Sequence, residues 1–381
     1  NSLRSEYKDI MYPQTGANAA TDGKLYLARA QNTRTTTSLS AYASGPLIQD
    51  KLVMFLAVEQ NKDNRGTVAL TSASGNNASG WAERKNTNNR YLAKFDFNIT
   101  EDHILEATLI GDRYAQNEVL SGYSYTDRAR FGGATLTSNY TNAADHNLGV
   151  GSSAKILRYT GFLTKDLTLS ALIGSSKSPH ISSYAGADVN SNTLRQVAVP
   201  SATNSMPGQT YTNPYPFAAG TFVIPAGSND KVEAQRVDVE YRLASDHTIR
   251  GGIDTVKLKS AGAGDRYAGG GVWSYLSSLN GNTRPNGKPA PTDPSLSLIE
   301  GGAVPVNGRY YYAREQIFLT VTDAQSTQAA QYIEDVWQVA KGLKVTPGLR
   351  FEQYKNKNGD GETFLEVKNQ INPRLSFSWD A

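Results

Sequence analysis

The chain has 381 residues, 39% of them apolar, and its 38 Lys and Arg against 35 Asp and Glu leave a formal net charge of +3. That apolar share is below the usual ~45 to 50% of globular domains, too low for a conventional oily core of this size, and the charge comes without a like-charged block, so nucleic acid is not expected as a partner. The longest apolar run, Leu52 to Val58, falls far short of the ~18 to 20 residues of a membrane-spanning helix; this excludes a helical membrane protein but not a β-barrel, whose strands are about ten residues long and apolar at every second position.

Period-two alternation predicts eleven strands in chain order: 34–45, 51–62, 88–98, 103–115, 153–164, 167–177, 232–244, 247–260, 327–340, 343–356 and 370–380. In the third, Tyr91, Ala93, Phe95 and Phe97 share one face while Leu92, Lys94, Asp96 and Asn98 share the other. Leu105, Ala107 and Leu109 oppose Glu106, Thr108 and Asp112 in the fourth. Val237, Val239 and Tyr241 face away from Arg236, Asp238, Glu240 and Arg242, and Leu343, Val345, Leu349 and Phe351 from Lys344, Thr346, Arg350 and Glu352. Pro347 conflicts with an internal strand because it removes a ladder donor, so a bulge or a sheet edge is expected there.

The connections alternate strictly between two kinds. Short ones lie around Gln49-Asp50, Glu101-Asp102, Lys165-Asp166, Ser245-Asp246 and Lys341-Gly342, four of them with an Asp whose side chain can accept from a nearby backbone N–H and start a turn. Long ones, rich in Ser, Asn, Gly, Thr and Tyr, fill 63–87, 116–152, 178–231, 261–326 and 357–369, all at the other end of the strands. Loops of that length in a compact domain signal function or a wrong element assignment; strand errors would not collect them at one end. The pattern fits an antiparallel up-and-down transmembrane barrel with short periplasmic turns and long extracellular loops, outward apolar rows and a polar lumen; a soluble β-sandwich is the competing arrangement.

SAYASGPLIQDKLVMFLAVEQNKDNR (Ser40 to Arg65) resembles a strand-turn-strand of Oar-like TonB-dependent outer-membrane receptors. DHTIRGGID (Asp246 to Asp254), YIEDVWQV (Tyr332 to Val339), LKVTPGLRFE (Leu343 to Glu352) and INPRLSFSWD (Ile371 to Asp380) resemble successive barrel strands of the same receptors. The resemblance implies a bacterial outer-membrane location, a lipid-contacting barrel of about twenty-two strands, a plug domain in its lumen, energy delivered through the TonB complex, and an extracellular ligand too large for porins. Residues 1–381 would then be one barrel segment supplying about eleven of those strands, with the plug and the barrel ends elsewhere. The alternative is a surface adhesion or carbohydrate-binding β-protein that transports nothing.

No HExxH, GxSxG or P-loop spacing occurs and cysteine is absent, so neither an enzymatic reaction nor a cofactor or metal is expected. Asn356, Asn358, Asp360 and Gly361 match a calcium loop at its first positions, but Val367 stands where the bidentate Glu belongs, which favours a hairpin tip. His103 and His247, each following a turn Asp, are expected as solvated turn residues. Tyr91, Tyr159, Tyr241 and Trp379 suit an interfacial aromatic girdle. Inward charges expected to hold a plug or line a path are Lys94, Asp96, Arg236, Asp238, Glu240, Arg242 and Arg350. Loop aromatics that could contact a ligand are Tyr123, Tyr125, Tyr211, Tyr215, Trp273, Tyr275, Tyr310, Tyr311 and Tyr312, the seven from Tyr211 onward being the leading candidates.

Overall fold

The computed structural model describes residues 8–69, 80–124, 127–140, 151–180, 193–215, 217–225, 227–279, 296–299 and 306–380. Eleven strands form one antiparallel sheet in unbroken chain order: β1 (Thr33–Ile48), β2 (Leu52–Ala69), β3 (Gly80–Thr100), β4 (His103–Ser124), β5 (Ser153–Thr164), β6 (Leu167–Pro179), β7 (Asn229–Arg242), β8 (His247–Ala263), β9 (Thr322–Ala340), β10 (Leu343–Lys357) and β11 (Thr363–Trp379). β1 and β11 each pair on one side only among the described residues, so the wall is open rather than closed.

The alternation along each strand becomes two continuous faces because directly opposed residues of an antiparallel pair point the same way. One row can be followed across all eleven strands: Ile48, Leu52, Phe97, Leu105, Tyr159, Ala171, Val237, Ile253, Gln331, Phe351 and Ile371. Nothing in the sheet covers this face; Ile253 is 55% and Ile371 58% exposed. On the opposite face the adjacent row reads Asp96, Glu106, Arg158, Leu172, Arg236, Asp254, Ala330, Glu352 and Gln370 from β3 to β11.

The five short connections are stitched in one repeated way. The carbonyl of Lys51, Asp102, Asp166, Asp246 or Gly342 accepts the backbone N–H of Asn98, Phe162, Arg242, Gln338 or Asp380 respectively, each on the strand that pairs next to the hairpin. The turn chemistry differs from expectation: at Asp102 and Asp166 the side-chain acceptor is the hydroxyl of Thr100 (3.3 Å) or Thr164 (3.2 Å), which takes the Asp N–H two residues on. Gly342, in the turn without Asp, has φ +79°, a conformation glycine adopts without steric cost.

Pro347 produces neither a bulge nor an edge. β10 is internal, and its pairing with β9 passes from Glu334↔Gly348 to Trp337↔Val345 in unchanged register with the two rungs between left out, while Pro347 keeps Leu375 opposite on β11. Removing a donor costs the ladder locally without moving the register.

The strands also run further than their hydropathy indicates. β2 reaches Ala69, β3 begins at Gly80, β4 continues to Ser124 and β11 begins at Thr363, so much of the expected loops 63–87, 116–152 and 357–369 is ladder. A further strand, Ala129–Tyr140, folds back on β4. Where β2 leaves its apolar run both faces are polar, as in Glu59-Gln-Asn-Lys-Asp-Asn-Arg65, so no alternation marks its extension. The segment Ile10–Met11 and Leu25–Leu27 pairs beside them, and Ala28 packs with Val68, Trp81 and Tyr123 into a small buried cluster on the outward side.

Candidate functional site

All seven inward charges expected from the sequence stand on the polar face. Lys94 lies 3.0 Å from Asp96 and 2.9 Å from Glu106 on the neighbouring strand, whose other oxygen is 3.8 Å from Arg158. Arg236 pairs with Asp238 at 2.7 Å, and Asp238 in turn accepts the Tyr332 hydroxyl at 2.6 Å across β8. Glu240 meets Arg250 at 2.7 Å, while Arg242 sits lower, 3.7 Å from Asp166 at a turn. Arg350 bridges Asp254 (3.0 Å) and Glu352 (2.8 Å).

The result is a lattice of cross-strand pairs in which most cations have an anion within reach. These groups are half-exposed, which suits a wetted wall against which a second polar surface could exchange partners. Sequence reading missed the members that complete it, Glu106, Arg158, Arg250, Asp254 and Tyr332. Their parity was readable, but their partners depend on register.

The second assembly rises from the long connections. Gln196–Ala198 pairs in parallel with Val272–Ser278, which pairs with Tyr310–Gln316 and that with Leu296–Ile299; Phe222–Val223 pairs with Arg266–Tyr267. The expected loops 178–231 and 261–326 therefore share sheets instead of lying side by side. Their fastening is the amide of Gln196, fully buried: its Nε2 donates to the carbonyls of Thr221 and Ala268, both 2.9 Å, and its Oε1 accepts the N–H of Gly220 (3.0 Å) and Thr221 (3.1 Å). All four hydrogen-bonding capacities that bridge three backbone segments are used, which is what makes a buried amide tolerable. Arg195 adds a 2.6 Å pair with Glu315 and donates to the Gly269 carbonyl.

The aromatic candidates divide over this body. Tyr211 and Tyr275 pack with ring centroids 4.6 Å apart, and Trp273, Tyr275 and Tyr311 share one face of the central hairpin through the pairs Trp273↔Glu315, Tyr275↔Ala313 and Ser277↔Tyr311. Tyr215 is 4% exposed, stacks on Phe217 and donates its hydroxyl to the Leu194 carbonyl, so it holds the loop together. Tyr310 and Tyr312 occupy the alternate register, opposite Ser278 and Leu276; their side chains lie outside the described ones. Tyr123 belongs to the buried cluster beside Trp81, and Tyr125 falls outside the described residues.

His103 and His247 are partnered rather than solvated: His103 stacks on Tyr159 and bonds its hydroxyl at 2.6 Å, and His247 stacks on Trp337 and bonds Asp335 at 2.7 Å. Both project on the apolar face near the turns, where a planar ring on the next strand is the available neighbour. Tyr91, Tyr159, Tyr241 and Trp379 share that face by register. The Asn356 to Gly361 stretch is a hairpin tip in which Asn358 Oδ1 accepts the N–H of Asp360 (3.1 Å) and Glu362 (2.9 Å), turning the oxygen toward its own backbone.

A family model described as an outer membrane beta barrel domain matches residues 4–373. None of the curated proteins matches. Solved structures similar to the chain include the outer membrane transporter YddB from Escherichia coli (13% identity, TM-score 0.48, 95% of this chain and 38% of that one). Others are the FrpB iron transporter from Neisseria meningitidis (15%, 0.47, 98% and 49%) and FpvA of P. aeruginosa bound to heterologous pyoverdines (10%, 0.46, 92% and 39%). The chain thus spans less than half the length of each of these.

Proposed function

The chain belongs to the outer membrane β-barrel domain family, and from that premise we propose that it supplies part of the wall of an Oar-like TonB-dependent receptor that takes up a substrate too large for porins. The protein resides in the bacterial outer membrane, its apolar rows against lipid. The observation that carries the transport reading is the inward ion-pair lattice from Lys94 to Arg350, a polar surface running from β3 to β10. A pore wall open to water needs no such dense pairing. A polar plug seated there would find pre-oriented charges, and displacing it under energy from the TonB complex would exchange one set of pairs for another. The loop body carrying Trp273, Tyr275 and Tyr311 captures the ligand on the outside; rings with hydroxyls give contact area at low entropic cost.

The test uses the complete protein in living cells. Deleting the gene should abolish accumulation of its substrate in a growth screen, and dissipating the proton gradient should do the same with the gene present. Accumulation that persists without the gradient would sink the TonB reading. External protease should cut within 178–231 or 261–326 and spare the Asp-containing turns; cuts confined to those turns would invert the topology.

A further inference from the structure

The inward face is not polar throughout. On the long-loop side of the ion pairs around Lys94, register opposes Tyr42, Ala57, Leu92, Ile110 and Ala154 on β1 to β5, all with the parity of Lys94 and Asp96. Phe55 stands one row nearer the turns, and its ring stacks on that of Tyr42 with centroids 6.4 Å apart. These side chains floor a hollow of about 750 Å³, within the ~300 to 1,000 Å³ usual for small-molecule sites. Among the described residues nothing covers that floor: Tyr42 is 79% and Ile110 44% exposed.

The rim of the hollow toward the long loops changes character. Arg90 pairs with Glu59 at 2.9 Å, Asp112 Oδ1 accepts the Ser152 N–H at 2.6 Å, and the hydroxyls of Ser152 and Ser178 lie 2.9 Å apart. Carboxylates and hydroxyls of this kind accept from ligand hydroxyls and, in the serines, donate back. The surroundings restrict what can lie on the floor. Membrane hydrocarbon meets the other side of the wall, where Leu56, Ala93 and Leu109 form the opposed row. A plug seated on the ion pairs presents charge, which is costly against an apolar floor that offers it no partner. Water leaves the floor unburied. A molecule with hydrocarbon at one end and polar groups at the other satisfies both the floor and the rim.

We infer that this hollow binds an amphiphile, with its hydrocarbon on Phe55, Leu92, Ile110 and Ala154 and its hydroxyl-bearing head at Asp112, Ser152 and Ser178. The inference rests on the transport reading, since the ligand must reach the lumen from the long-loop end, and it names the substrate class: a cargo that is part hydrocarbon and part polyhydroxylated.

The test uses the complete protein in outer-membrane vesicles without a proton gradient. The probe is dodecyl glucoside with a diazirine in its chain, kept below its micelle concentration; light fixes it to what it touches, and peptide mass spectrometry locates the adducts. Probe dissolved in the bilayer should mark Leu56, Ala93 and Leu109, and probe in the hollow should mark Leu92, Ile110 and Ala154. Unlabelled dodecyl glucoside should displace the inward set, and glucose should not. Ala154→Trp, which fills the floor, should lower adducts at Leu92 and Ile110 by about tenfold or more. Leu92→Thr makes the same test without added bulk, read at Ile110 and Ala154, while Leu157→Trp on the lipid-facing side should leave the inward set unchanged. Heat-modifiable electrophoretic mobility confirms that each variant is folded. Adducts confined to the outward set, inward adducts that survive both inward variants, or displacement by glucose alone would each overturn the inference. Uptake under a proton gradient is measured separately, so an unlabelled hollow with uptake intact defeats this site and leaves the transport reading standing.

Discussion

Within the apolar band and above it, toward the long loops, the same strands obey different rules. Within the membrane band there is almost no core: apart from Ala330, the buried apolar residues among those described, such as Trp81, Tyr123, Tyr215, Val223 and Val272, all lie beyond it. Val239 is 40%, Ile333 52% and Leu349 43% exposed. In the band, lipid replaces the core, and stability comes from ladder hydrogen bonds that cannot be exchanged for water. Above it, two small clusters, one around Trp81 and one around Gln196, are packed as ordinary soluble proteins are. A chain with 39% apolar residues needs no more, because each grease-bearing face is used once and never doubled.

The sharpest way to break this contrast is one substitution on each face at the same height. Val239→Arg should block barrel assembly, at about 2 to 4 kcal/mol for a cation at mid-membrane, while the adjacent Asp238→Asn should assemble normally; heat-modifiable mobility in outer-membrane fractions reads both. Equal tolerance would place neither face against lipid.

Above the band the largest effect is expected from Gln196→Leu. It takes the partner from the Ala268 carbonyl and from the N–H groups of Gly220 and Thr221, while the Thr221 carbonyl keeps the Ala268 N–H, at about 2 to 3 kcal/mol after relaxation. The outer body should become protease-sensitive while the barrel keeps its folded mobility. Unfolding of both together would mean that the two regions are one cooperative unit.

A smaller, pH-dependent effect belongs to Asp63 in the extension of β2. Burial pushes its carboxyl up, but hydrogen bonds from Arg34, Arg65 and Thr36, with the Arg65 charge, outweigh that and hold it down to about 2. A depressed folded-state value contributes stability above the ordinary carboxylate range and loses it as pH falls toward about 2. Protection of the 59–69 backbone from hydrogen exchange should therefore fall between about pH 4 and 2, and Asp63→Asn should flatten that dependence. An unchanged profile in the variant would remove Asp63 as the cause.

Legibility followed the same boundary. Alternation of grease and polarity found all eleven strands inside the band, because lipid on one side and water on the other imposes it. It failed beyond the band, where no lipid imposes it: in β2 beyond Lys62, in β3 before Asn88, and in Ala129–Tyr140. The charges of the polar face were readable one strand at a time, but that Arg350 reaches Asp254 across β9 was not, since register is set by turns whose lengths leave no hydropathy trace. The fate of Tyr215 was equally hidden, because a ring spent on the Leu194 carbonyl looks in sequence like one offered to a ligand.

The recurring contact in which the last carbonyl of each short turn accepts an N–H from the following strand makes the hairpin the unit of growth. Every unit finishes its own lower edge and leaves a fresh acceptor for the next, so two strands can be inserted or excised together without orphaning a donor at the rim. Circumference becomes a number that duplication can change in steps of two, while the chemistry at each seam stays as it was.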